Sequence, residues 1–493
     1  MLSSNFPPLL VSAFILLQVR SVKDVEVLPE EPARFSGLIP RGRYREFNEA
    51  SRRAAKRLRG VTVWNVNSTE RGGGVAEMLR CLLGYAKGGG LDVRWLVVQG
   101  DTEFFDVTKR VHNRLHGSPG DGGSLGAKAR AAYERVLGAA AEDLAECVRP
   151  ADIVVLHDPQ TAGLVPAIRR LGATAVWRCH VGAEVPSELA AEAWAFLQPS
   201  LAEANAYVFS RRQFVPRTLD DSRVHVIPPS IDAFSPKNRD LDEDMVRLVI
   251  STSGVVPAAA SIDGQRPPVT HRVSMVEDVP VPPGVPVVTQ VSRWDRLKDP
   301  AGVIVAFAAH VAPYTDAHLV VAGPSDESVA DDPESSDVLA HCVRVRRGLA
   351  DEVRPRVHLA CIPMADPDEN ALVVNALQRS AAVVVQKSLA EGFGLTVAEA
   401  MWKARPVVAC RVGGIQDQVD HGRTGLLIDD PADLAEFGQA VRALLLHSER
   451  AEALGRAARE SVRDRFLVPR HLSQYADLLD TLVGSRRTAT PAR

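Results

Sequence analysis

The sequence has few cysteines, little net charge and no histidine or aspartate clusters at metal-ligand spacing. Its six cysteines are scattered over 493 residues without C-x-x-C spacing. They are therefore expected to be buried thiols in a reducing compartment rather than a disulfide frame or a zinc site. A net charge of −3 and a pI near 6.5 provide no polycationic face for nucleic acid. We expect no cofactor, no metal requirement and no nucleic-acid partner.

Long apolar runs are also missing. The apolar stretch from Pro7 to Leu17 is too short to span a bilayer. No Lys or Arg precedes it and no convincing small-residue cleavage site follows, so we do not interpret it as a signal peptide. The protein is expected to be cytoplasmic, without membrane insertion. Residues 1–59 are expected to form an N-terminal extension that packs on the first domain.

Two glutamates around a glycine turn are the most informative pattern present. Residues 386–399 read Q-K-S-L-A-E-G-F-G-L-T-V-A-E, which places Glu391 and Glu399 eight positions apart. A buried strand is predicted just upstream at 381–385, and helical character from Thr396 to Lys403. Free N–H groups at the helix start form an anion site, and two carboxylates beside it suit a sugar nucleotide. An ordinary strand-to-helix junction has the same spacing.

Two cations follow another predicted strand, at 285–291. Arg293 and Lys298 stand five positions apart just past its end. Parallel sheets bind ligands at the carboxyl edge of their strands. A guanidinium and an ammonium there could neutralise the charge on a departing nucleoside diphosphate without a metal. A solvated basic loop is the alternative interpretation.

The amino-terminal half contains a glycine-rich loop. A strand predicted at 61–67 is followed by Gly72, Gly73 and Gly74 and then by a helical stretch, 75–86. Consecutive glycines allow the backbone to approach a ligand closely, although a flexible connection would look the same. The loop lacks G-x-G-x-x-G spacing, so it does not predict an NAD site.

The chain as a whole is predicted to be α/β with two domains. Strand-like runs near 61–66, 91–98, 152–157, 174–179, 205–209 and 224–228 alternate with helical stretches, as in βαβ units on a parallel sheet. The first Rossmann-like domain is placed at 60–235 and the second at 286–466. Between them, 236–285 is predicted to be an irregular linker or insert, part of it packed on the first domain. A helix is expected to cross back over 467–493.

The glutamate motif resembles the E-x7-E signature of retaining glycosyltransferases with the GT-B fold, and Arg293 and Lys298 resemble that family's paired Arg and Lys. Three segments resemble sequences of the branch that contains trehalose synthases and trehalose phosphorylases: W-N-V-N-S-T-E-R-G-G-G-V-A-E-M-L, V-L-H-D-P-Q and W-R-C-H-V-G. The similarity runs from about residue 60 to 470. It implies two Rossmann-like parallel-sheet domains facing across a deep cleft, and a homodimer.

The resemblance also implies roles for individual residues. Glu391 would contact the donor sugar, and Glu399 the nucleotide ribose. The implied catalytic residues are Glu391, Arg293, Lys298 and His180. The implied donor-binding residues are Gly73, Gly74, Arg293, Lys298, Glu391, Gly392, Phe393, Gly394, Leu395, Thr396 and Glu399. The candidate acceptor-binding residues are Asn67, Asp101, Lys109, Asp158 and His180.

The function implied is retaining transfer of glucose from ADP- or UDP-glucose to free glucose, giving α,α-trehalose. The sequence does not choose the nucleobase. A retaining trehalose phosphorylase, which uses phosphate and glucose 1-phosphate, is the alternative. A sugar-binding relative without catalysis is a third interpretation, which the intact set of two glutamates and two cations opposes. The substrates are expected to be small molecules.

Overall fold

The structure is a computed structural model that describes residues 20–70, 73–185, 187–256, 268–325 and 334–489, with side chains described as far as residue 484. The apolar stretch from Pro7 to Leu17 and Gly72 of the glycine loop lie outside these residues. Within the described ranges, every helix falls short of the length and apolarity needed to cross a bilayer.

The described residues form two seven-stranded sheets, in the orders β1-β3-β2-β4-β5-β6-β7 and β14-β13-β12-β9-β10-β11-β8. All strand pairs are parallel except β1 with β3 and β8 with β11. The strands are β1 (Val22–Val25), β2 (Thr62–Asn67), β3 (Asp92–Val98), β4 (Ile153–His157), β5 (Thr174–Cys179), β6 (Ala206–Phe209), β7 (Val224–Val226), β8 (Ser274–Val276), β9 (Val287–Val291), β10 (His318–Pro324), β11 (Val357–Ile362), β12 (Val383–Gln386), β13 (Val407–Cys410) and β14 (Leu426–Ile428).

Helices cover the sheets and bury their apolar sides against them, as expected for parallel sheets. They are α1 (Arg41–Arg57), α2 (Gly74–Gly88), α3 (Thr102–Leu115), α4 (Ala127–Cys147), α5 (Asp158–Thr161), α6 (Val165–Arg170), α7 (Glu188–Leu201), α8 (Glu243–Ser253), α9 (Pro300–His310), α10 (Ser335–Arg347), α11 (Pro367–Ser380), α12 (Leu395–Trp402), α13 (Ile415–Gln418), α14 (Leu434–Leu446), α15 (Ser448–Arg465) and α16 (Val468–Ala489).

The prediction of an irregular linker over 236–285 was wrong for part of that segment. Helix α8 forms because the Asp242 carboxylate accepts the N–H of Met245 at its start, and it ends at Gly254, whose φ is 87°. Strand β8 pairs antiparallel with β11 at the edge of the second sheet. The apolar residues of this segment pack with Val291, Val320 and Leu377, so it covers the second sheet rather than the first domain.

The chain passes between the two sheets at two neighbouring places. Ile231, which follows β7, forms a β-bridge with Leu467, which precedes α16. Helix α16 then packs against α1 beside the first sheet, where Leu478 and Leu479 join the cluster around Val63 and Val155. The amino-terminal extension thus supplies both an edge strand, β1, and a helix of this layer, α1.

Candidate active site

The E-x7-E segment forms a tight turn between β12 and α12. Gly394 precedes the helix with φ 87°, a conformation that favours glycine. A second glycine, Gly413, has φ 49° and approaches so closely that an added Cβ would lie 1.6 Å from the Glu391 carbonyl oxygen. Packing of the two loops therefore fixes the backbone at Glu391. The predicted strand, turn and helix are all present.

Lys298 and Glu391 meet in the folded chain. The Lys298 ammonium donates to Glu391 Oε2 at 2.5 Å, and the Ser388 hydroxyl donates to the same oxygen at 3.3 Å. Lys298 ends a short 3₁₀ turn over Arg296–Lys298, which the Asp295 carboxylate caps by accepting the N–H of Leu297. One predicted donor-site cation thus lies directly on the predicted sugar-binding carboxylate.

Arg293 lies beside this pair. Its Nη2 is 3.0 Å from Asp295 Oδ2. Burial alone would raise the pKa of Asp295, but the positive charges of Arg293, Lys298 and Lys109 outweigh burial and lower that pKa. The lowered pKa shows that positive charge is concentrated at the place where the family resemblance predicts the diphosphate of the donor.

A buried ion pair ties the two motif loops together. The Lys387 ammonium donates to Asp299 Oδ2, and Asp299 caps α9 by accepting the Gly302 N–H at 3.0 Å. Gln290 adds a second link, since its amide donates to the Lys298 carbonyl at 3.0 Å and accepts the Lys387 N–H at 3.2 Å. These contacts hold the Lys298 loop and the Glu391 turn in one arrangement.

Glu399 lies on the first turns of α12 and is buried. Its Oε1 is 3.9 Å from the Lys237 ammonium, and its Oε2 has no hydrogen-bond partner among the described residues. Burial is the largest cause of its raised pKa; Glu77 adds to the rise, while Lys237 and Lys403 oppose it. A buried carboxylate oxygen without a donor is costly unless a ligand supplies one.

The first sheet contributes a row of neutral polar groups from three adjacent strands. His157 ends β4, and its ring lies nearly parallel to that of His180, with 3.3 Å between His157 Nδ1 and His180 Nε2. On the other side, His157 Nε2 lies 3.1 Å from Asn65 Oδ1 in β2. Burial lowers the pKa of His180, and it lowers that of His157 to about 3. Both rings are therefore uncharged near neutral pH.

Asp158 orients the backbone at His180. Its Oδ1 accepts the His180 N–H at 2.7 Å, and Asp158 itself has φ 63°. Burial is the main reason why its pKa is raised to about 7. Two predicted acceptor-site residues are thus adjacent, one holding the other through the main chain.

The two halves touch at the predicted glycines. A Cβ placed on Gly392 would lie 2.4 Å from the His180 carbonyl oxygen, and one on Gly74 would lie 2.9 Å from Leu395 Cδ1. The glycine loop, the glutamate turn and His180 therefore share one location. Gly73 precedes α2 in an extended conformation.

The remaining predicted donor residues lie in the same turn and are anchored from outside it. Gln418 donates to the Phe393 carbonyl at 2.5 Å, and the Thr396 hydroxyl donates to the Gln386 side chain at 3.1 Å. Their backbones are thereby held beside the Glu391 carboxylate.

Helix α3 carries Lys109, a predicted acceptor residue, and leads into His116, which was not predicted in the site. Its Lys109 reaches across to Glu334, with 3.6 Å between the charged groups. Burial first, and then nearby positive charges that include Lys298, lower the pKa of His112. Burial also lowers the pKa of His116 to about 4, with Glu391 and Lys298 among the charges acting on it. The spacing H-x-x-x-H in the helix, which puts both rings on one face, was the available signal.

Two predicted acceptor residues have other partners. Asn67 donates to the Thr69 carbonyl at 2.6 Å and accepts from the Trp95 indole at 2.8 Å. Asp101 caps α3 by accepting the Phe104 N–H, and it pairs with Arg135 at 2.7 Å. In both cases the structure gives the side chain a local structural role.

Two facing sheets, a glycine turn with paired carboxylates and a basic pair define a glycosyltransferase of the GT-B fold. The protein-family model described as "Trehalose synthase, N-terminal domain" matches residues 65–216, and the family model "Glycosyl transferases group 1" matches residues 275–461. The trehalose synthase of Rubrobacter xylanophilus is 36% identical over 463 residues, which cover 92% of this chain and 97% of that protein. This chain belongs to the trehalose synthase family and is a trehalose-related hexosyltransferase.

More distant similarities agree with the fold. A trehalose phosphorylase of Pleurotus pulmonarius is 25% identical over 383 residues, which cover 74% of this chain and only 50% of that protein. The solved structure of an α,α-trehalose 6-phosphate synthase from Burkholderia multivorans superposes with a TM-score of 0.63 at 16% identity, covering 88% of this chain and 99% of that one. The latter likeness shows the fold alone.

Proposed function

We propose that this protein transfers glucose from a nucleoside diphosphate glucose to free glucose and forms α,α-trehalose with retention of anomeric configuration. The nucleotide part rests on Glu399, whose buried Oε2 has no hydrogen-bond partner in the part of the chain that the structure describes. The vicinal hydroxyls of a ribose would donate hydrogen bonds to that oxygen and offset the free energy of burying it without a donor.

The charged groups of the second domain would act on the leaving diphosphate. Lys298 and Arg293 stabilise the negative charge that develops as the bond from the anomeric carbon to the phosphate oxygen breaks. The electron pair of that bond goes to the phosphate oxygen. Glu391, already bonded to Lys298, accepts hydrogen bonds from the donor sugar and positions it.

The acceptor would attack from the face that the diphosphate leaves. The acceptor hydroxyl oxygen forms the new bond to the anomeric carbon, and its proton passes to the departing phosphate oxygen. We assign no carboxylate as a covalent nucleophile. His180, whose ring is neutral and whose carbonyl lies against Gly392 of the second domain, binds a hydroxyl group near the reacting carbon.

A trehalose phosphorylase is the second candidate. Arg293 and Lys298 would bind inorganic phosphate as well as a diphosphate, so these cations do not separate the two activities. Glu399 favours the nucleotide donor, because a phosphorylase has no ribose to bind there, although phosphorylases of this branch keep similar motifs. The relative that is 36% identical is named a synthase and the relative that is 25% identical a phosphorylase, which favours a synthase over a phosphorylase.

Product analysis by proton NMR tests the proposal. Purified protein is incubated with glucose and, separately, ADP-, UDP- or GDP-glucose, and a parallel sample contains glucose and glucose 1-phosphate. An α,α-linked disaccharide formed from a nucleotide sugar is the expected result and also ranks the bases. Trehalose formed only from glucose 1-phosphate would replace the proposal with a phosphorylase. No disaccharide from any mixture would contradict both activities.

We also propose a cytoplasmic homodimer that works without a metal. In the described part of the chain, no three His, Cys, Asp or Glu side chains are grouped so that they could hold a metal ion. Sedimentation velocity measures the dimer, whose mass should be twice the 53.3 kDa of one chain. Activity that survives dialysis against EDTA is the expected result for the metal.

A further inference from the structure

We infer that His157 is a positioning residue that fixes which ring nitrogen of His180 carries the proton. The inference rests on the proposed function for its consequence in catalysis. The hydrogen-bond chain from Asn65 through His157 to His180 carries it, because these side chains come from β2, β4 and the end of β5, which are neighbours in the sheet.

The direction of this chain follows from its first atom. Asn65 Oδ1 is a carbonyl oxygen and can only accept, so His157 Nε2 must carry a proton and donate to it. The His157 ring is neutral and therefore has only that one proton. Its Nδ1 is an acceptor, and His180 Nε2, 3.3 Å away, must be the donor.

The consequence for His180 is a defined acceptor atom. Its ring is also neutral, so a proton on Nε2 leaves a lone pair on Nδ1. Nδ1 has no hydrogen-bond partner among the described residues. A sugar hydroxyl can donate to this atom, whereas an ionised phosphate oxygen, which has no proton to donate, cannot.

The main chain completes the positioning. The Asp158 carboxylate holds the N–H of His180 at 2.7 Å, and the His180 carbonyl lies against Gly392 of the opposite domain. Backbone position and ring tautomer are thus set by two consecutive residues, Asp158 and His157. His157 itself is buried, and among the described residues its ring nitrogens contact only Asn65 and His180.

The test combines nitrogen NMR with kinetics on the full-length protein. The protein is labelled with ¹⁵N-histidine, and the His180 ring signals are assigned by difference from a His180→Gln sample. In the wild type, we expect a protonated Nε2 and an unprotonated Nδ1. In His157→Leu, both tautomers of His180 should be populated. A wild-type His180 with the proton on Nδ1, or an unchanged tautomer in His157→Leu, would overturn the inference.

The kinetic arm separates positioning from folding. His157→Leu should lower kcat about tenfold or more while the KM for the nucleotide sugar changes less than twofold. His157→Gln should recover most of the kcat, because its amide can donate to Asn65 and accept from His180. If His157→Leu does not fold, the tautomer in His157→Gln decides instead, and the inference requires the wild-type form.

A buried histidine pair in the second sheet provides the matched control. His318 and His358 are also joined through ring nitrogens, 2.9 Å apart, and lie at the strand ends remote from the glutamate turn. His318→Leu should leave the His180 signals and kcat unchanged. Because the tautomer is read without turnover, it can be established even if trehalose synthesis is not found.

Discussion

The two sides of the site differ in the charge state of their side chains. The side built on the second sheet concentrates ionised groups, with Lys298 on Glu391 and Arg293 on Asp295. The side built on the first sheet carries His157 and His180, whose pKa values burial lowers, and Asp158, whose pKa it raises.

That difference matches the two substrates proposed. A nucleoside diphosphate leaves with negative charge, which fixed cations stabilise more than neutral dipoles do. Glucose is uncharged, and a neutral ring with one lone pair can bind a hydroxyl without attracting the diphosphate to the wrong side. Four substitutions test this contrast between a charged and a neutral side, and the largest effect is expected for Lys298.

Removing Lys298 should cause the largest loss. Lys298→Ala is expected to lower kcat about 100-fold or more, because one stabiliser of the leaving charge is lost. Steady-state kinetics with the active nucleotide sugar measure it. Arg296→Ala is the control, since Arg296 lies on the same turn with a side chain that is 72% exposed. Equal activity of the two variants would remove Lys298 from its proposed role.

Moving the two sides of the site apart should lower kcat somewhat less than the loss of Lys298 does. In Gly392→Ala, the new methyl group would lie 2.4 Å from the His180 carbonyl oxygen and push the turn away from it. We expect kcat to fall about 10- to 100-fold, as small misplacements of reacting groups do. Gly37→Ala, where a Cβ meets nothing within 4 Å, should behave as wild type. Wild-type kcat in the Gly392 variant would show that the two sides need not approach so closely.

Changing Glu399 should affect binding more than turnover. Glu399→Gln removes a charged acceptor, and a hydrogen bond to a charged group is worth about 1.5–3 kcal/mol. The affinity for the nucleoside diphosphate should therefore fall about tenfold or more, measured by calorimetry. Glucose affinity serves as the internal control and should be unchanged. A nucleotide affinity equal to that of the wild type would exclude Glu399 from ribose binding.

Asp158→Asn should have the smallest effect on activity and a clear effect on pH dependence. The native pKa is about 7 against the ordinary 3.8, so between these values the folded protein holds a proton that the unfolded chain has lost. Asp158 therefore lowers the free energy of unfolding as pH rises from about 4 to 7, by at most about 1.4 kcal/mol per pH unit.

Urea unfolding at pH 4.5, 5.5 and 6.5 compares Asp158→Asn with the wild type. The variant retains an oxygen for the His180 N–H and should lose this part of the pH slope, with kcat within a few-fold of wild type. An unchanged slope would mean that Asp158 is ionised in the native state across this range.

Local sequence signals were sufficient for much of the fold and for the position of the turn. The six predicted strands of the first sheet correspond to β2 to β7, because each is a compact apolar run between turn residues. The residues around Glu391 and Glu399 predicted a strand, a glycine turn and a helix, and the structure contains all three. Strand β1 was not predicted, since Val22–Val25 alternates weakly and becomes a strand only by pairing with β3.

What the sequence did not reveal depends on long-range packing. The partner of Glu391 is 93 positions away, and the lone oxygen of Glu399 is a result of burial that no spacing encodes. His116, which follows α3, was missed because only the tertiary structure places it near Glu391 and Lys298. Asn67 was expected at the acceptor, but its amide is hydrogen-bonded to the Trp95 indole and the Thr69 carbonyl.

The two antiparallel strands at the sheet margins have a consequence for how the protein stays dispersed. Strand β1 covers the backbone edge of β3 with a shorter strand whose Lys23 and Asp24 are exposed, and the three-residue strand β8 covers that of β11. An uncovered edge offers a row of unpaired N–H and C=O groups to any other chain. A polypeptide that started after Val25 would keep all the residues proposed for catalysis, yet it would expose β3 to pairing between molecules. Its failure would then be aggregation during expression rather than loss of chemistry.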